Sequence, residues 1–313
     1  MAGDESMSEL CAVTTIYNPA NYNSRFKLYE EFRKRIKESG VPLYTVELAT
    51  GDQEFSVTDK TDPYNIQVRS EHEMWYKENL VNIALKRLPH HWDLVAWLDA
   101  DILFVRPDWV SLTKQKLKQY SFVQMFSHVF DLGPHFEPLG VKEGFVYRYL
   151  MGDKKSRGGG QHIITKGIGE TGYAWAAQRN VLEALGGLIE TSILGSNDYF
   201  MAQALVGAVT PEMTRMPDSN YATLLMEWQQ RCEKLIQHNI GYVDTAILHY
   251  WHGRRKDRGY DNRWRILVEN QFDPLVDLKN NEEGLLELTG RSVALRKAIR
   301  SYFRSRNEDS TEA

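Results

Sequence analysis

Short apolar runs alternate with segments of helical periodicity along the first hundred residues. The runs are continuously apolar or alternate between apolar and polar positions, which is typical of strands. The segments between them repeat apolar residues every three or four positions and end at Gly40 and Pro89, as helices do; Ser24 is the predicted N-cap of the first. The predicted strands are 10–16, 43–48 and 94–98, and the predicted helices are 25–39 and 73–88.

The same alternation continues after residue 100, with a less regular middle. The segment 131–169 is rich in Gly, Pro and His, and its run 154–160 predicts a mobile loop, which is either a functional lid or a connection. Further strands are predicted at 64–68, 102–105, 121–126 and 240–249, and further helices at 109–120, 179–185 and 197–206. Strands that alternate with helices predict an α/β fold with a mostly parallel, Rossmann-like sheet flanked by helices.

One domain with a C-terminal helical extension is the simplest organisation. We expect the domain to cover 9–265 and the extension 266–306, with disordered ends at 1–8 and 307–313. The segment 291–306 predicts a basic amphipathic helix. Such a helix packs on its own domain, lies on an anionic membrane or contacts nucleic acid, and its few apolar residues favour packing.

Composition excludes several classes of protein. The 313 residues are 42% hydrophobic and 26% charged, as in ordinary globular proteins. A net charge of -4 argues against a surface that binds nucleic acid throughout, and leaves a local basic patch open. Two cysteines support neither a disulfide framework nor a cysteine zinc site and favour a reducing compartment. Because no apolar run reaches the roughly 18 residues of a membrane span, we expect a cytoplasmic protein.

Two carboxylates one residue apart interrupt the most apolar run of the chain. Asp99 and Asp101 follow the predicted strand 94–98, and the sequence is apolar again from Ile102. Open α/β sheets bind their ligands at the carboxyl ends of strands. Carboxylate oxygens suit a divalent cation, which is how enzymes hold a diphosphate. The alternative is a solvated polar turn, since a three-residue pattern needs context.

Two histidines three residues apart end the predicted strand 240–249. Imidazole is a further ligand type for Mn²⁺, and Gly253 would let the chain turn so that His249 and His252 face one site. The alternative is a pair of structural histidines. The basic run that follows, which includes Arg255, suits a diphosphate leaving group or is a solvated loop.

An acid at a predicted helix start is a further candidate. Asp198 follows Asn197 and could stabilise the helix start, or it could be a general base that removes a proton from an attacking hydroxyl. The chain also has 8 Trp and 16 Tyr, a minority of which could stack on bases or sugars.

Taken in chain order, these landmarks resemble a glycosyltransferase of the GT-A fold. The later ones are similar to the acceptor segment of inverting galactosyl- and N-acetylgalactosaminyl-transferases. The resemblance implies a hexosyl- or N-acetylhexosaminyl-transferase that moves a sugar from a nucleotide-sugar, a UDP-sugar, to a hydroxyl of a glycan or lipid-linked acceptor, with Mn²⁺ or Mg²⁺ on the diphosphate. The landmarks are the strand end at Thr14 to Asn18, Lys77-Glu78-Asn79, Asp99-Ala100-Asp101, Gly172-Tyr173-Ala174-Trp175, Asn197-Asp198 and His249 to Gly253.

The resemblance also implies a role for each residue. Asp101 would ligate the metal, Asp99 would hold the ribose or the metal through water, and His249 or His252 would complete the metal shell. Asp198 would be the base of an inverting enzyme, whereas in a retaining enzyme it would only bind sugar hydroxyls. The implied donor-binding residues are Thr14, Tyr17, Asn18, Glu47, Lys77, Asn82 and Arg255, and the implied sugar- and acceptor-binding residues are Gly172, Trp175 and Asn197.

Three alternatives remain from the residues themselves. The acceptor could be a modified base in nucleic acid, reached by the basic stretches 154–157 and 254–263. A nucleotidyltransferase would also use a strand-end carboxylate and a metal, but it normally has a glycine-rich phosphate loop, and 14–22 contains no glycine. A non-catalytic sugar-binding module would use the aromatic residues without a diphosphate site.

Overall fold

The computed structural model describes residues 9–151 and 168–312. The predicted mobile loop at 154–160 and the predicted disordered segment 1–8 lie outside these ranges. The strands are β1 (Leu10–Tyr17), β2 (Leu43–Thr50), β3 (Asn65–Ser70), β4 (Leu94–Leu98), β5 (Ile102–Phe104), β6 (Phe122–Gln124), β7 (His128–Leu132), β8 (Pro138–Glu143), β9 (Ala174–Gln178), β10 (Ile240–Tyr242), β11 (Ala246–His249), β12 (Leu278–Asn280) and β13 (Leu286–Leu288).

The helices occupy the connections between these strands. They are α1 (Asn23–Glu38), α2 (Lys77–Arg87), α3 (Trp109–Leu117), α4 (Phe145–Met151), α5 (Arg179–Leu185), α6 (Asn197–Leu205), α7 (Asn220–Leu235), α8 (Tyr260–Glu269), α9 (Pro274–Asp277) and α10 (Val293–Arg304). Short 3-10 helices occur at Pro211–Thr214 and Arg255–Arg258. None of the helices in the described ranges is long and apolar enough to cross a bilayer.

A seven-stranded sheet forms the centre, in the order β10-β6-β9-β4-β1-β2-β3. β1 pairs in parallel with β2 and β4, whereas β9 runs antiparallel between β4 and β6. All five residues of β4 are buried, because helices cover both faces of the sheet and no side of the strand meets water. The predicted α/β class with a mostly parallel sheet is confirmed, and β9, for which the sequence predicted no element, is its antiparallel member.

A second, four-stranded sheet has the order β5-β11-β7-β8. The apolar run 94–105 is therefore two strands in two sheets, since the chain leaves the central sheet at Asp99 and β5 pairs antiparallel with β11. The predicted strand 240–249 likewise divides into β10 in the first sheet and β11 in the second. The register pairs Ile102 with His249, so that Asp101 comes close to the histidine strand.

Two regions differ from the sequence prediction. The helix α7 was not predicted, although the Ser219 hydroxyl accepts a hydrogen bond from the Ala222 backbone as an N-cap, and one side of this helix, including Tyr221 and Trp228, is buried. The middle segment, predicted to be irregular, contains β8 and α4 within its described part. The apolar residues of β8 do not follow the strand period closely, and those of α4 do not follow the helix period closely, which weakens both periodic signals.

The C-terminal extension packs on the central domain. Leu295, Ile299, Tyr302 and Phe303 of α10 are buried, as the packing interpretation predicts, and Arg300 and Arg304 form ion pairs with Glu73 at 3.3 and 3.1 Å. The extension also contains the antiparallel pair β12–β13, which the prediction of a purely helical extension lacks.

Residues 307–312 are ordered against α1, where the sequence predicted a disordered tail. The Asp309 carboxylate accepts hydrogen bonds from the backbone amides of Asn23 and Ser24 at 3.0 and 2.8 Å. It therefore occupies the capping role predicted for Ser24, since the N-cap residue of α1 is Tyr22, whose side chain makes no capping bond. Glu308 beside it is only 2% exposed. The sequence suggested disorder because this tail is polar. The ion pairs that hold the tail join residues distant in the sequence, and such pairs leave no local pattern.

Candidate functional site

A pocket of about 1040 Å³ lies where the carboxyl ends of β1 and β4 meet the second sheet. It brings together ten of the residues predicted to act: Tyr17, Asn18, Lys77, Asp99, Asp101, Gly172, Asp198, His249, His252 and Arg255. A second cavity of about 1010 Å³, at the opposite edge of the sheet beside Asp93 and Arg179, contains none of them.

Asp101, His249 and His252 form a cluster with metal-ligand chemistry. Their ligand atoms all lie within 4.8 Å of one another. The Nε2 atoms of the two histidines are 3.2 Å apart, and the Asp101 Oδ2 is 3.3 Å from His252 Nε2 and 4.0 Å from His249 Nε2. The other Asp101 oxygen is buried and has no hydrogen-bond partner within residues 9–151 and 168–312. A buried carboxylate oxygen and two converging imidazole nitrogens fit a divalent cation such as Mn²⁺.

Asp131 orients one of these histidines. Its Oδ1 lies 2.9 Å from His249 Nδ1, and Lys142 Nζ lies 2.6 Å from its other oxygen. Burial raises the pKa of Asp131, but the hydrogen bonds from His249 and Lys142 outweigh it and hold the pKa well below its usual range. The ionised carboxylate only accepts, so His249 carries its proton on Nδ1 and presents the Nε2 lone pair to the cluster.

The buried position of His252 keeps its ring neutral. Burial is the largest cause that lowers the pKa of His252 well below its ordinary value, and the positive charge of Arg258 lowers it further. A neutral imidazole is the form that binds a metal.

Asp99 lies outside this three-residue cluster and is paired with Lys77. The ammonium of Lys77, at the start of α2, contacts Asp99 Oδ1, and the backbone amide of Tyr173 donates to Asp99 Oδ2 at 3.2 Å. Burial raises the pKa of Asp99, and Lys77 opposes that rise. The pair gives the pocket a hydrogen-bonded carboxylate beside a lysine.

Gly172 separates Asp99 from Asp198. A Cβ atom at Gly172 would lie 3.0 Å from Asp198 Oδ2, so that carboxylate would have to shift by a few tenths of an ångström, whereas the 4.0 Å to Asp99 Oδ2 is ordinary contact. Tyr173 and Ser196, which adjoin Gly172 and Asn197, have left-handed backbone angles with φ of 74° and 88°. Non-glycine residues in this conformation are strained, and such strain concentrates at functional sites.

A buried polar network surrounds Asn197, the residue before Asp198. Asn197 Nδ2 and Trp75 Nε1 each donate to Glu78 Oε2 at 2.9 Å, and Asn197 Oδ1 accepts from the Ser192 amide at 2.9 Å. Burial raises the pKa of Glu78 to about 7, with Lys77 opposing the rise. The predicted substrate-binding Asn197 is thus buried in this network and does not line the pocket.

Thr14 and Trp175, predicted to contact the donor and the sugar, are structural in this fold. The Thr14 hydroxyl donates to the Leu98 carbonyl at 2.9 Å and joins β1 to β4. Trp175 is 1% exposed and donates to the Thr171 carbonyl at 2.8 Å. The sequence prediction differs from the structure here because β9 lies in the middle of the sheet, which buries the tryptophan.

Glu47 and Asn82 also lie away from the pocket. Glu47 accepts hydrogen bonds from the backbone amides of 56–58 at 2.6 to 3.1 Å, and so holds that loop. Asn82 donates to the Leu188 carbonyl at 3.0 Å and accepts from the Leu188 amide at 2.8 Å. Both polar side chains are buried and already satisfied by the chain itself.

Tyr17 and Asn18 line the pocket, but their polar groups are engaged elsewhere. The Tyr17 hydroxyl accepts from the Met74 amide at 3.2 Å. The Asn18 amide exchanges two hydrogen bonds with the backbone of Tyr22, at 2.8 and 2.9 Å, and shapes the turn after β1. The pocket is therefore lined by the aromatic ring of Tyr17 and, at Asn18, by a backbone that the side chain holds in place.

Basic residues form another wall of the pocket. The Nε atoms of Arg258 and Arg263 are buried and have no hydrogen-bond partner among the described residues, and Arg255 is exposed at the rim. A buried guanidinium N–H without a partner is costly unless an acceptor binds it, and phosphate oxygens are strong acceptors. This wall suits an anionic ligand next to the three-residue cluster.

Sequence reasoning missed several residues around the pocket. Asp131 and Lys142 belong to β7 and β8, where the sequence predicted an irregular segment. The pocket is also lined by Arg25, Arg306 and Glu308, although Arg25 is far from the other two in the sequence. An acid within the apolar stretch of β7 is the one local signal that could have revealed Asp131.

Fold and pocket together define an α/β protein with an acid and histidine cluster at the carboxyl edge of its sheet. No protein-family model matches the sequence, and no curated protein matches it. Similar solved structures include mannosyl-3-phosphoglycerate synthase from Rubrobacter xylanophilus, at 14% identity and a TM-score of 0.39, with 90% of this chain and 84% of that chain covered.

Two further similar structures come from other enzymes. A Drosophila beta1,4-galactosyltransferase 7 in complex with manganese, UDP-Gal and xylobiose has 12% identity and a TM-score of 0.34, over 64% of this chain and 62% of that chain. The 4-diphosphocytidyl-2C-methyl-D-erythritol synthase from Anaerococcus prevotii has 12% identity and a TM-score of 0.34, over 76% of this chain and 87% of that chain.

Proposed function

We propose that this protein is a metal-dependent glycosyltransferase of the GT-A type, which transfers a sugar from a nucleotide-sugar, a UDP-sugar, to a hydroxyl of a glycan or lipid-linked acceptor. The observation that carries the proposal is the placement of Asp101, His249 and His252 in one pocket with a second acid, Asp198, and a basic wall. A diphosphate leaving group needs a metal site and positive charge, and an attacking hydroxyl needs an acid that can take its proton.

Asp101, His249 and His252 are the residues that would hold Mn²⁺ or Mg²⁺, and the two imidazoles favour Mn²⁺. A divalent ion held by these residues would neutralise charge on the diphosphate of the donor. Asp99, held by Lys77, binds the ribose or a metal-bound water. Arg258 and Arg263 donate their unpartnered N–H groups to phosphate oxygens, and Arg255 contributes charge at the rim.

Asp198 is the proposed general base of an inverting transfer. Its Oδ2 accepts a hydrogen bond from the Thr171 hydroxyl at 3.3 Å, and its other oxygen accepts none from the described residues. That oxygen takes the proton of the acceptor hydroxyl as the hydroxyl oxygen bonds to the anomeric carbon from the face opposite the diphosphate. The bond from that carbon to the diphosphate oxygen breaks, and the nucleoside diphosphate leaves with its electron pair. Gly172 leaves room for this carboxylate.

Metal-dependent hydrolysis of a panel of nucleotide-sugars tests the proposal. We expect turnover of a UDP-sugar with Mn²⁺ that is lost in chelator and lost in Asp101→Ala. The matched control is Asp108→Ala, a surface acid paired with Arg106 outside the pocket, which should keep full turnover. Full activity of Asp101→Ala in chelator would sink the proposal.

The configuration of the product tests the role of Asp198. Inversion at the anomeric carbon, together with a large loss of transfer in Asp198→Asn, is the expected result. Retention of configuration would exclude Asp198 as the base of a single displacement and leave it as a ligand of sugar hydroxyls.

A modified base in nucleic acid is the alternative acceptor, because Arg255 and Lys256 are exposed beside the pocket. Gel shift of duplex and single-stranded DNA at low and high salt separates the two acceptors. Salt-sensitive binding would favour the nucleic-acid acceptor, and no binding at low salt would exclude it.

A further inference from the structure

The C-terminal segment 307–312 lies directly against the proposed donor pocket. Gly253, the residue after His252, has φ of +89°, and a Cβ atom there would lie 2.7 Å from the Asn307 carbonyl oxygen and 2.9 Å from the Glu308 Cα. The two backbones can approach this closely only at a glycine. The segment therefore touches the chain one residue away from the metal cluster.

Glu308 inserts its carboxylate between two arginines from different parts of the chain. Its side chain is 2% exposed; Arg25 contacts it through Nε and through Nη2 at 2.8 Å, and Arg306 donates through Nε at 2.7 Å. Burial raises the pKa of Glu308, but the charges of Arg25 and Arg306 outweigh it and lower the pKa to about 2. The carboxylate is therefore ionised wherever the protein is folded near neutral pH.

The two guanidinium groups keep donors that Glu308 does not use. Nη1 of Arg25 and both Nη atoms of Arg306 make no hydrogen bond within the described residues, whereas their Nε atoms bind Glu308. Arg25, Arg306 and Glu308 all line the same pocket as Asp101 and His252. The Arg306 guanidinium carbon also lies 5.7 Å from the centre of the Trp75 ring, which restrains its position.

One carboxylate shared by two guanidinium groups leaves a net positive charge beside the metal cluster. Arg258, which adds a third positive charge and further lowers the pKa of Glu308, lies in the same wall. Without Glu308, the arginines would repel one another and lose the shared acceptor that fixes their planes. This arrangement binds an anion more tightly when the arginines are held in place.

We propose that Glu308 is a positioning residue of the donor site, and that Arg25 and Arg306, which it holds, form a subsite for the diphosphate of the nucleotide-sugar. This proposal rests on the proposed function for the identity of the anion. It makes Glu308, alone among residues 307–312, a working part of the pocket.

Calorimetric titration of Glu308→Gln with UDP and Mn²⁺ tests the proposal. The glutamine keeps the shape of the side chain and removes its charge. We expect about tenfold weaker binding of UDP, the size expected for the loss of one charge-assisted hydrogen bond. Titration with Mn²⁺ alone should be unchanged, because Asp101 and both histidines remain. In turnover, KM for the donor should rise more than kcat falls.

A double-mutant cycle separates positioning from general destabilisation. If Glu308 acts through Arg306 as well as Arg25, then Glu308→Gln should lower UDP affinity less in an Arg306→Gln background than in the wild type. If Glu308→Gln does not unfold cooperatively, Arg306→Gln tests the subsite in its place. Arg25 still neutralises Glu308 in the Arg306→Gln variant. The matched control is Glu312→Gln, whose exposed carboxylate contacts Arg254 at 3.5 Å and should not affect UDP binding.

Unchanged UDP affinity in Glu308→Gln overturns the proposal. Tighter UDP binding in that variant also overturns it, because Glu308 would then compete with the anion. Titration of the wild-type protein with inorganic pyrophosphate tells failure of the subsite from failure of the proposed function. Pyrophosphate binding that depends on Glu308, without turnover of any nucleotide-sugar, would keep the subsite and reject the transferase.

Discussion

Asp131 holds the Nδ1 of His249 at 2.9 Å, and so points the Nε2 of that histidine at His252 and Asp101. Residues of three strands, β5, β7 and β11, meet in this arrangement because the register pairs His249 with both Ile102 and Asp131. A carboxylate behind a histidine fixes its tautomer and raises its basicity as a ligand. The relationship therefore links the second sheet to the proposed metal site.

Replacing Asp131 should weaken metal binding without removing a ligand. We expect Asp131→Ala to lower Mn²⁺ affinity by about 10- to 100-fold, the usual cost of losing such an outer partner. Titration of Mn²⁺ followed by electron paramagnetic resonance measures the change. Glu143→Gln, on the neighbouring β8 and paired with Arg148 at the surface, is the control that should bind Mn²⁺ normally. Equal affinity of Asp131→Ala and wild type would refute the role.

Gly172→Ala should impair catalysis more than donor binding. The added methyl group would lie 3.0 Å from Asp198 Oδ2, so the carboxylate must move by a few tenths of an ångström or more. Since misplacing a catalytic group by about 1 Å can cost about 100-fold in rate, we expect this smaller shift to lower kcat by about tenfold while KM for the donor changes little. Steady-state kinetics of sugar transfer measure both constants.

The control for Gly172→Ala is Gly140→Ala on the exposed strand β8. Gly140 lines the same pocket, but a Cβ atom there meets nothing within 4 Å in the part of the chain that the structure describes, so this variant should keep the wild-type rate. If Gly172→Ala retains full kcat while Asp198→Asn does not, then the space around Asp198 is not limiting.

Most strands and helices of the central domain were predictable because each carries its own periodic signal. The sequence identified the acids after β4 and the histidines after β11, since a polar residue at the end of an apolar run is a local feature. It could not place Asp101 beside His249, because that depends on the division of 94–105 and 240–249 between two sheets. Nothing in the periodicity of either run marks that division.

Burial of polar residues was the main source of error in the predicted site. Thr14, Glu47 and Trp175 belong to types that often bind ligands, but here hydrogen bonds inside the chain satisfy them. Conversely, Glu308 lies in a stretch whose composition predicts disorder, and one of the contacts that hold it is with Arg25, 283 positions away. Contacts of this range are set by tertiary packing and leave no local pattern.

Glu78→Gln should change how stability depends on pH. Burial raises the pKa of Glu78 from 4.5 to about 7, so the native state holds this proton more tightly than the unfolded state. The favourable contribution of the protonated acid is full below about pH 4.5 and is lost as the pH rises towards 7. Relative to Glu78→Gln, wild type should therefore lose on the order of 2–3 kcal/mol between pH 4.5 and 7.

Urea unfolding of both proteins across this range measures the difference. The effect of Glu78 is the difference between the two free energies of unfolding at each pH, because the other groups titrate in both proteins. Glutamine keeps an oxygen that can accept from Asn197 and Trp75, so the variant should fold. A gap that is independent of pH would show that Glu78 is ionised in the native state with an ordinary pKa.

Asp309→Ala should destabilise the start of α1 from the far end of the chain. The Asp309 carboxylate accepts hydrogen bonds from the amides of Asn23 and Ser24, so its removal should cost about 0.5–2 kcal/mol, as for other helix caps. Burial raises the pKa of Asp309, but these amides lower it overall; the stabilisation is thus present above the ordinary aspartate pKa and is lost as the pH falls through the native value. Urea unfolding at neutral and acid pH measures both effects. Asp309→Asn keeps a single acceptor oxygen, so it can accept one of the two amide hydrogen bonds and should lose less stability than Asp309→Ala. No loss of stability in Asp309→Ala would contradict the capping role.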